Sequence, residues 1–390
     1  MSIRYDSIGS TSSINKEAVL VLFRVLVTIL SLLFANQVRA QEPVDRYRAT
    51  NLVSNIFGPA ENADSSLVNP WGMANDLEGG PWWVADEGKG RATLYSGAGL
   101  SFPGLAPLLV IIPVTPGGVS DYSAPTGIVY NDTGDFELAP SVPSRFIFVT
   151  RDGSIAGWNN EQDRYEAVLV VDNAPQAVYT GATIASIDGR HVLYVANFGQ
   201  GRVDAFGPDF SPFPLQEGAF IDPALPDGFF PYNVLAVNNE IWITFAKIGT
   251  DGRRELSGQG LGYVDVFDAK GNLLMRFEHG PWLDAPWGIA LAPDIGFGEY
   301  SGSVLIGNSG SGRIAAFDVI SGSFLGFLKD GKNEPIAIPG LHGLGFGNGG
   351  LAGSTTALYY TAGPAAGPNL FGSITPGSAL GSGTVIPQQY

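Results

Sequence analysis

The chain has 390 residues, 45% hydrophobic and 15% charged, and its 53 glycines and 27 prolines favour many short strands over long helices. A net charge of −16, from 21 Lys plus Arg against 37 Asp plus Glu, repels phosphate backbones and anionic lipid and argues against nucleic acid as a partner. Cysteine is absent, which excludes disulfides, thiolate metal sites and cysteine nucleophiles.

At the N-terminus, Arg4 and Lys16 precede the apolar run "AVLVLFRVLVTILSLLFA" (residues 18–35), and "VRA" places small residues at Val38 and Ala40. This layout predicts a signal peptide over residues 1–40, export to the periplasm or beyond the cell, and no membrane attachment once it is cleaved. Arg24 interrupts the run, so an uncleaved membrane anchor is the rival reading.

Residues 41–390 read as one domain built from a repeat. A short apolar phrase recurs with anchors at Gly72, Gly127, Gly181, Asn233, Gly288 and Gly343, spaced by 55, 54, 52, 55 and 55 residues. Each copy continues with a β-branched and aromatic run: "WWVAD", "FIFVT", "LYVAN", "IWITF", "VLIGN" and "LYYTA". Third runs such as "RVDAF" and "YVDVF" follow Gly-rich breaks, and fourth runs such as "LLVIIPV" and "EAVLVVD" precede the next anchor. Four strands in each of six copies predict an all-β, six-bladed β-propeller. The last copy lacks a fourth run, whereas "YRATNLVSNI" (Tyr47–Ile56) precedes the first anchor unpaired. The N-terminal strand is therefore expected to complete the last blade and close the ring.

The phrases "VNPWG", "DGSIAGWN", "LYVANFGQGRVDAF", "GLGYVDVFD", "APWGIALAP" and "GLHGLGFGNG" resemble an uncharacterised family of exported bacterial β-propellers related to NHL-repeat proteins. Some members of that family carry a PEP-CTERM sorting tail. The ending "VIPQQY" has no Pro-Glu-Pro, so that route is not expected here. The resemblance implies the fold and transfers no catalytic residue.

In such a propeller the loop entering the first strand and the loop joining the second to the third share one face. Residues before the anchors (Trp71, Thr126, Thr180, Tyr232, Trp287 and His342) should then converge with Asp86, Glu87, Arg151, Asp152, Asn197, Lys247 and Asn308. Trp71, Arg151, Tyr232, Lys247, Trp287 and His342 are the candidate ligand-binding residues, since aromatics with a few polar groups suit a concave site. His342 is also the candidate general base, because its side chain titrates near neutrality. Asp86, Glu87, Asp152, Asn197 and Asn308 are hard oxygen donors that could hold an axial Ca²⁺, as in gluconolactonase-like propellers. The plainer reading of Asp86, Asn197 and Asn308 is turn capping, and of the tryptophans packing between blades.

The fourth copy alone carries a long polar insertion on this face, "AKIGTDGRRELSGQGLG" (residues 246–262), a candidate lid or selector for an anionic group. Opposite-face connections such as "DLEGG", "SIDGR" and "DAKGN" read as plain turns. These observations favour a monomeric scaffold binding a small molecule or protein, with a cation-dependent hydrolase, lactonase or lyase as the alternative.

Overall fold

A computed structural model describes residues 46–116 and 122–377. The expected signal peptide and its cleavage site after Ala40 lie outside the described residues. Strands dominate the described chain, with three 3₁₀ turns of three residues each between them. Six antiparallel sheets radiate as blades, each entered by an innermost strand that carries an anchor: Pro70–Asn75, Pro125–Tyr130, Tyr179–Ile187, Phe229–Val237, Pro286–Leu291 and Leu341–Phe346. The second strands, Trp82–Asp86, Phe146–Thr150, Arg190–Asn197, Glu240–Ile248, Val304–Asn308 and Leu358–Ala362, contain the β-branched and aromatic runs. Their side chains are almost wholly buried, because both faces of a central strand pack against neighbouring blades.

Ring closure follows the expectation, with the first strand ending slightly earlier at Ser54. Tyr47–Ser54 runs antiparallel to Leu370–Pro376 as the outer strand of the sixth blade. Tyr47 locks it in place: its ring is 2% exposed and its hydroxyl donates to the Phe297 carbonyl at 2.8 Å. The third blade departs from the four-strand plan. Outside its Tyr179–Ile187, Arg190–Asn197 and Arg202–Phe206 ladder, the fourth position is reduced to a bridge between Phe206 and Pro212. Pro212 and Pro214 have no N–H to extend that edge into a ladder.

The anchors are the points of closest approach between inner strands. A Cβ on Gly127 would lie 2.8 Å from the Gly181 Cα, and one on Gly343 would lie 2.6 Å from the Trp71 carbonyl oxygen. Glycine at these places lets neighbouring backbones meet around the axis. Beside each anchor the pairing of the inner strand with the second slips, between Pro70 and Met73, Tyr179 and Gly181, Pro231 and Asn233, Pro286 and Gly288, and Leu341 and Leu344, with the same slip opposite Phe148–Thr150. A β-bulge of this kind puts two residues opposite one and re-aims a side chain. The residue before the anchor is thereby free to point along the axis.

Candidate functional site

Four of those pre-anchor residues meet at one end of the channel. Trp71 and His342 stack with ring centroids 4.0 Å apart, while Tyr232 and Trp287 stand edge-on to Trp71 at 6.0 and 5.9 Å. The remaining two places hold threonines, whose small side chains leave room for the four rings. Thr126 donates to the Tyr179 carbonyl, and the Thr180 carbonyl accepts the Trp287 indole N–H at 2.9 Å. Phe198 packs 4.9 Å from Tyr232 and completes the apolar wall. It sits just after Asn197 on the expected face, but sequence reasoning did not single it out.

The cluster is buried but not satisfied. Trp71 Nε1, the Tyr232 hydroxyl and His342 Nε2 have no hydrogen-bond partner of good geometry. His342 Nδ1 lies 2.9 Å from the Gly340 carbonyl, which can only accept, so Nδ1 carries the proton and Nε2 is left as a bare acceptor. Burial lowers the His342 pKa to about 3, keeping the ring neutral, and the nearby Arg151 charge acts in the same direction. Burial first, and then the Glu255 carboxylate, push the Tyr232 phenol well above its ordinary range. One pure donor, one pure acceptor and one hydroxyl that can do either thus sit on neighbouring rings of one buried aromatic cluster. Each such group costs about 1–3 kcal/mol while unpaired.

A charged rim covers the rings. The Arg151 guanidinium lies 5.6 Å from the centre of Trp71 and pairs with Glu87 at 3.3 Å. The insertion of the fourth blade folds over this point. Its Glu255–Leu256 segment pairs back onto Lys247–Ile248, Gly258 N–H is held by Asp284, and its tip reaches the second blade. There Arg151 donates to the Arg253 carbonyl at 3.0 Å and Arg253 donates to the Arg151 carbonyl at 2.6 Å. This strap brings Arg253 and Glu255 to the site. Their place in the insertion was visible in the sequence, and their partners were not.

Other candidates fall outside the cluster. Lys247 alternates with Ala246 and Ile248, which face the rings, so its own side chain turns away to the Asp227 carbonyl and over the Phe229 ring. Of the proposed calcium donors, Glu87 and Asp152 line one chamber with Arg151, and the other three serve groups of their own blades. Asn197 accepts the N–H groups of Val178 and Gln200, Asn308 accepts that of Asp284, and Asp86 binds the Thr93 hydroxyl inside its own blade. Asp152 accepts the Ala124 N–H, and Glu87 is held by Asn69 and Arg151. Among the described residues no group of three or more His, Asp or Glu could hold a metal ion. The oxygens of Asn197, Asn308, Asp152 and Glu87 thus serve turns and an ion pair, while Asp86 Oδ1 is buried without a partner.

The opposite face is more elaborate than its short connections suggested. A hairpin, Glu137–Ala139 with Val142–Pro143, stands on it, and a cleft of about 560 Å³ between the first two blades is lined by Trp83, Phe146 and Trp158. Beyond the glycine ring the far half of the channel widens to a cup of about 630 Å³ lined by Met73, Ile184, Leu235 and Phe346. Trp71, Tyr232 and His342 line neither of these cavities.

The fold and site define a six-bladed β-propeller with its channel mouth strapped over an aromatic cluster. No family model matches the chain. An uncharacterised protein of Acanthamoeba polyphaga mimivirus is 29% identical over 311 residues, covering 77% of this chain and 74% of its own; this relative is viral, whereas the sequence phrases pointed to bacterial ones. Among solved structures, a protein of unknown function from Bacteroides thetaiotaomicron superposes with a TM-score of 0.53 at 9% identity, over 85% of this chain and 76% of that one. The apo form of the soluble aldose sugar dehydrogenase from Escherichia coli gives 0.51 at 12% identity, over 85% and 100%. At such identities the likeness extends to the fold alone.

Proposed function

We propose that this protein is an exported binding scaffold, of the NHL-related propeller type its sequence phrases resemble, that takes a small polar ligand at the strapped mouth of its channel. The observation that carries this reading is the packing together of Trp71, Tyr232 and His342 from three blades, whose buried Nε1, hydroxyl and Nε2 have no hydrogen-bond partner of good geometry. A ligand hydroxyl or amide accepts from the indole and donates to the imidazole, relieving both penalties at once. The insertion must lift for the ligand to enter, and its hold on the second blade is two hydrogen bonds between Arg151 and Arg253. The alternative of a hydrolase or lyase using His342 as general base is the weaker fit. A ring whose pKa is held at about 3 is a poor base near neutrality.

The test is a thermal-shift screen of small metabolites against residues 41–390, repeated on Tyr232→Phe. Hits should raise the melting temperature of the parent and lose that effect in the variant. Hits that stabilise both proteins equally would place binding elsewhere and overturn the reading.

A further inference from the structure

Between the strap and the first two blades lies a chamber of about 390 Å³, lined by Glu87, Arg151, Asp152, Asp251, Arg253 and Arg254 among others. Its formal charges balance, so net charge does not decide what it takes. Hydrogen-bond direction does. Asp251 is turned inward to the N–H groups of Arg253 and Arg254 at 2.9 Å each, and Asp152 to that of Ala124 at 2.8 Å. Glu87 is shared between the Asn69 amide and Arg151. Glu87 therefore has both oxygens engaged within the protein, and Asp251 and Asp152 one each. The guanidiniums are less engaged: among the described residues neither Arg253 nor Arg254 enters an ion pair, and Arg253 spends one N–H on a neutral carbonyl. Five N–H donors on each planar group outnumber the two carboxylate oxygens, Asp251 Oδ2 and Asp152 Oδ1, that accept no hydrogen bond in the chamber.

We infer that the proposed ligand carries a carboxylate held in this chamber by Arg253 and Arg254, next to the aromatic cluster, since Arg151 both lines the chamber and lies over the Trp71 ring. The inference rests on the proposed binding function and adds the chemical class of the ligand. Guanidinium groups take a carboxylate through paired N–H···O bonds that a neutral amide cannot match. A chamber of this size suits a compact molecule. Arg254 has no part in holding the strap down, whereas Arg253 both holds it and faces the chamber, so the two residues separate recognition from closure.

The experiment is calorimetric titration of residues 41–390 with acetate, succinate, citrate and benzoate, each paired with its neutral amide. At least one acid should bind about tenfold or more tightly than its amide, and the preference should weaken as salt is raised. Arg254→Gln should remove about tenfold of the acid's affinity, leave the amide's unchanged and melt like the parent. Arg253→Lys should retain more of the preference than Arg253→Gln. Acids binding no better than their amides, or a preference that survives Arg254→Gln, would overturn the inference. In that case neutral hits that remain sensitive to Tyr232→Phe would leave the binding function standing, whereas no Tyr232-dependent hit of either kind would sink both.

Discussion

His342 gives the sharpest physical test of the buried cluster. In the unfolded chain it titrates near the ordinary pKa of about 6.5. In the fold the pKa lies at about 3, chiefly through burial. Between those values the unfolded chain takes up a proton that the native state refuses, so stability is fully present above pH 6.5 and is lost as the pH falls towards 3. From pH 7 to pH 5 the unfolded-state imidazole goes from about one-quarter to about 97% protonated, which removes about 2 kcal/mol. Asp86 and Asp265, whose pKa values burial raises, pull in the opposite direction, so the parent's own pH curve mixes several effects. His342→Asn isolates one of them. Its amide can still donate to Gly340 and carries no charge at any pH, while the other groups cancel in the comparison. Urea unfolding followed by tryptophan fluorescence at pH 7, 6 and 5 should show the parent losing about 2 kcal/mol relative to the variant. A difference that stays constant over that range would refute the burial argument and return His342 to solvent.

Three further outcomes follow from the packing. Gly127→Ala places a methyl group 2.8 Å from the Gly181 Cα and 2.9 Å from the Ala182 nitrogen, so denaturant melts should show a loss of about 1–3 kcal/mol. Asp265, 2% exposed beside Asp222, has its pKa raised to about 8, first by burial; the native state keeps a proton from about pH 4 to 8 that the unfolded chain releases. Asp265→Asn should therefore lessen the decline of stability with rising pH across that window, by up to about 1 kcal/mol per pH unit. Deleting residues 47–54 exposes the edge of Leu370–Pro376 and removes the buried Tyr47 and Val53, so the shortened protein should melt well below the parent, by several kcal/mol on the scale of large-to-small core losses.

The propeller was legible because a repeat writes the same local choices six times. The closing strand was legible because one strand was missing at one end and spare at the other. The convergence of Trp71, Tyr232, Trp287 and His342 was readable for the same reason, since equivalent places around a ring must share the axis. What escaped depends on geometry that spacing does not carry. The bulge beside each anchor, which frees the preceding residue to face the axis, is a matter of pairing register. A single step in strand alternation turned Lys247 away from the cluster and Ala246 towards it. Asp86, Asn197 and Asn308 sit where the repeat put them, yet their oxygens serve nearby backbone and hydroxyl groups, a choice the residue types left open. The reach of Arg253 to Arg151 spans 102 positions and is a tertiary contact with no local signature. Trp287 serves packing as well as the site, being 5% exposed and bonded to Thr180, so its removal tests stability before it tests binding.

The most direct measurement of the central claim is the stability of Tyr232→Phe with no ligand added, followed by its response to the screen. The Tyr232 hydroxyl has Glu255 and Ser309 as neighbours but no hydrogen bond of good geometry, so its deletion should leave the variant about as stable as the parent. It should also lose the stabilisation that the parent gains from its ligand. A variant that is about 1 kcal/mol or more weaker on its own, and still stabilised by the same compounds, would mean that the hydroxyl belongs to the fold and that the channel mouth is not the binding site.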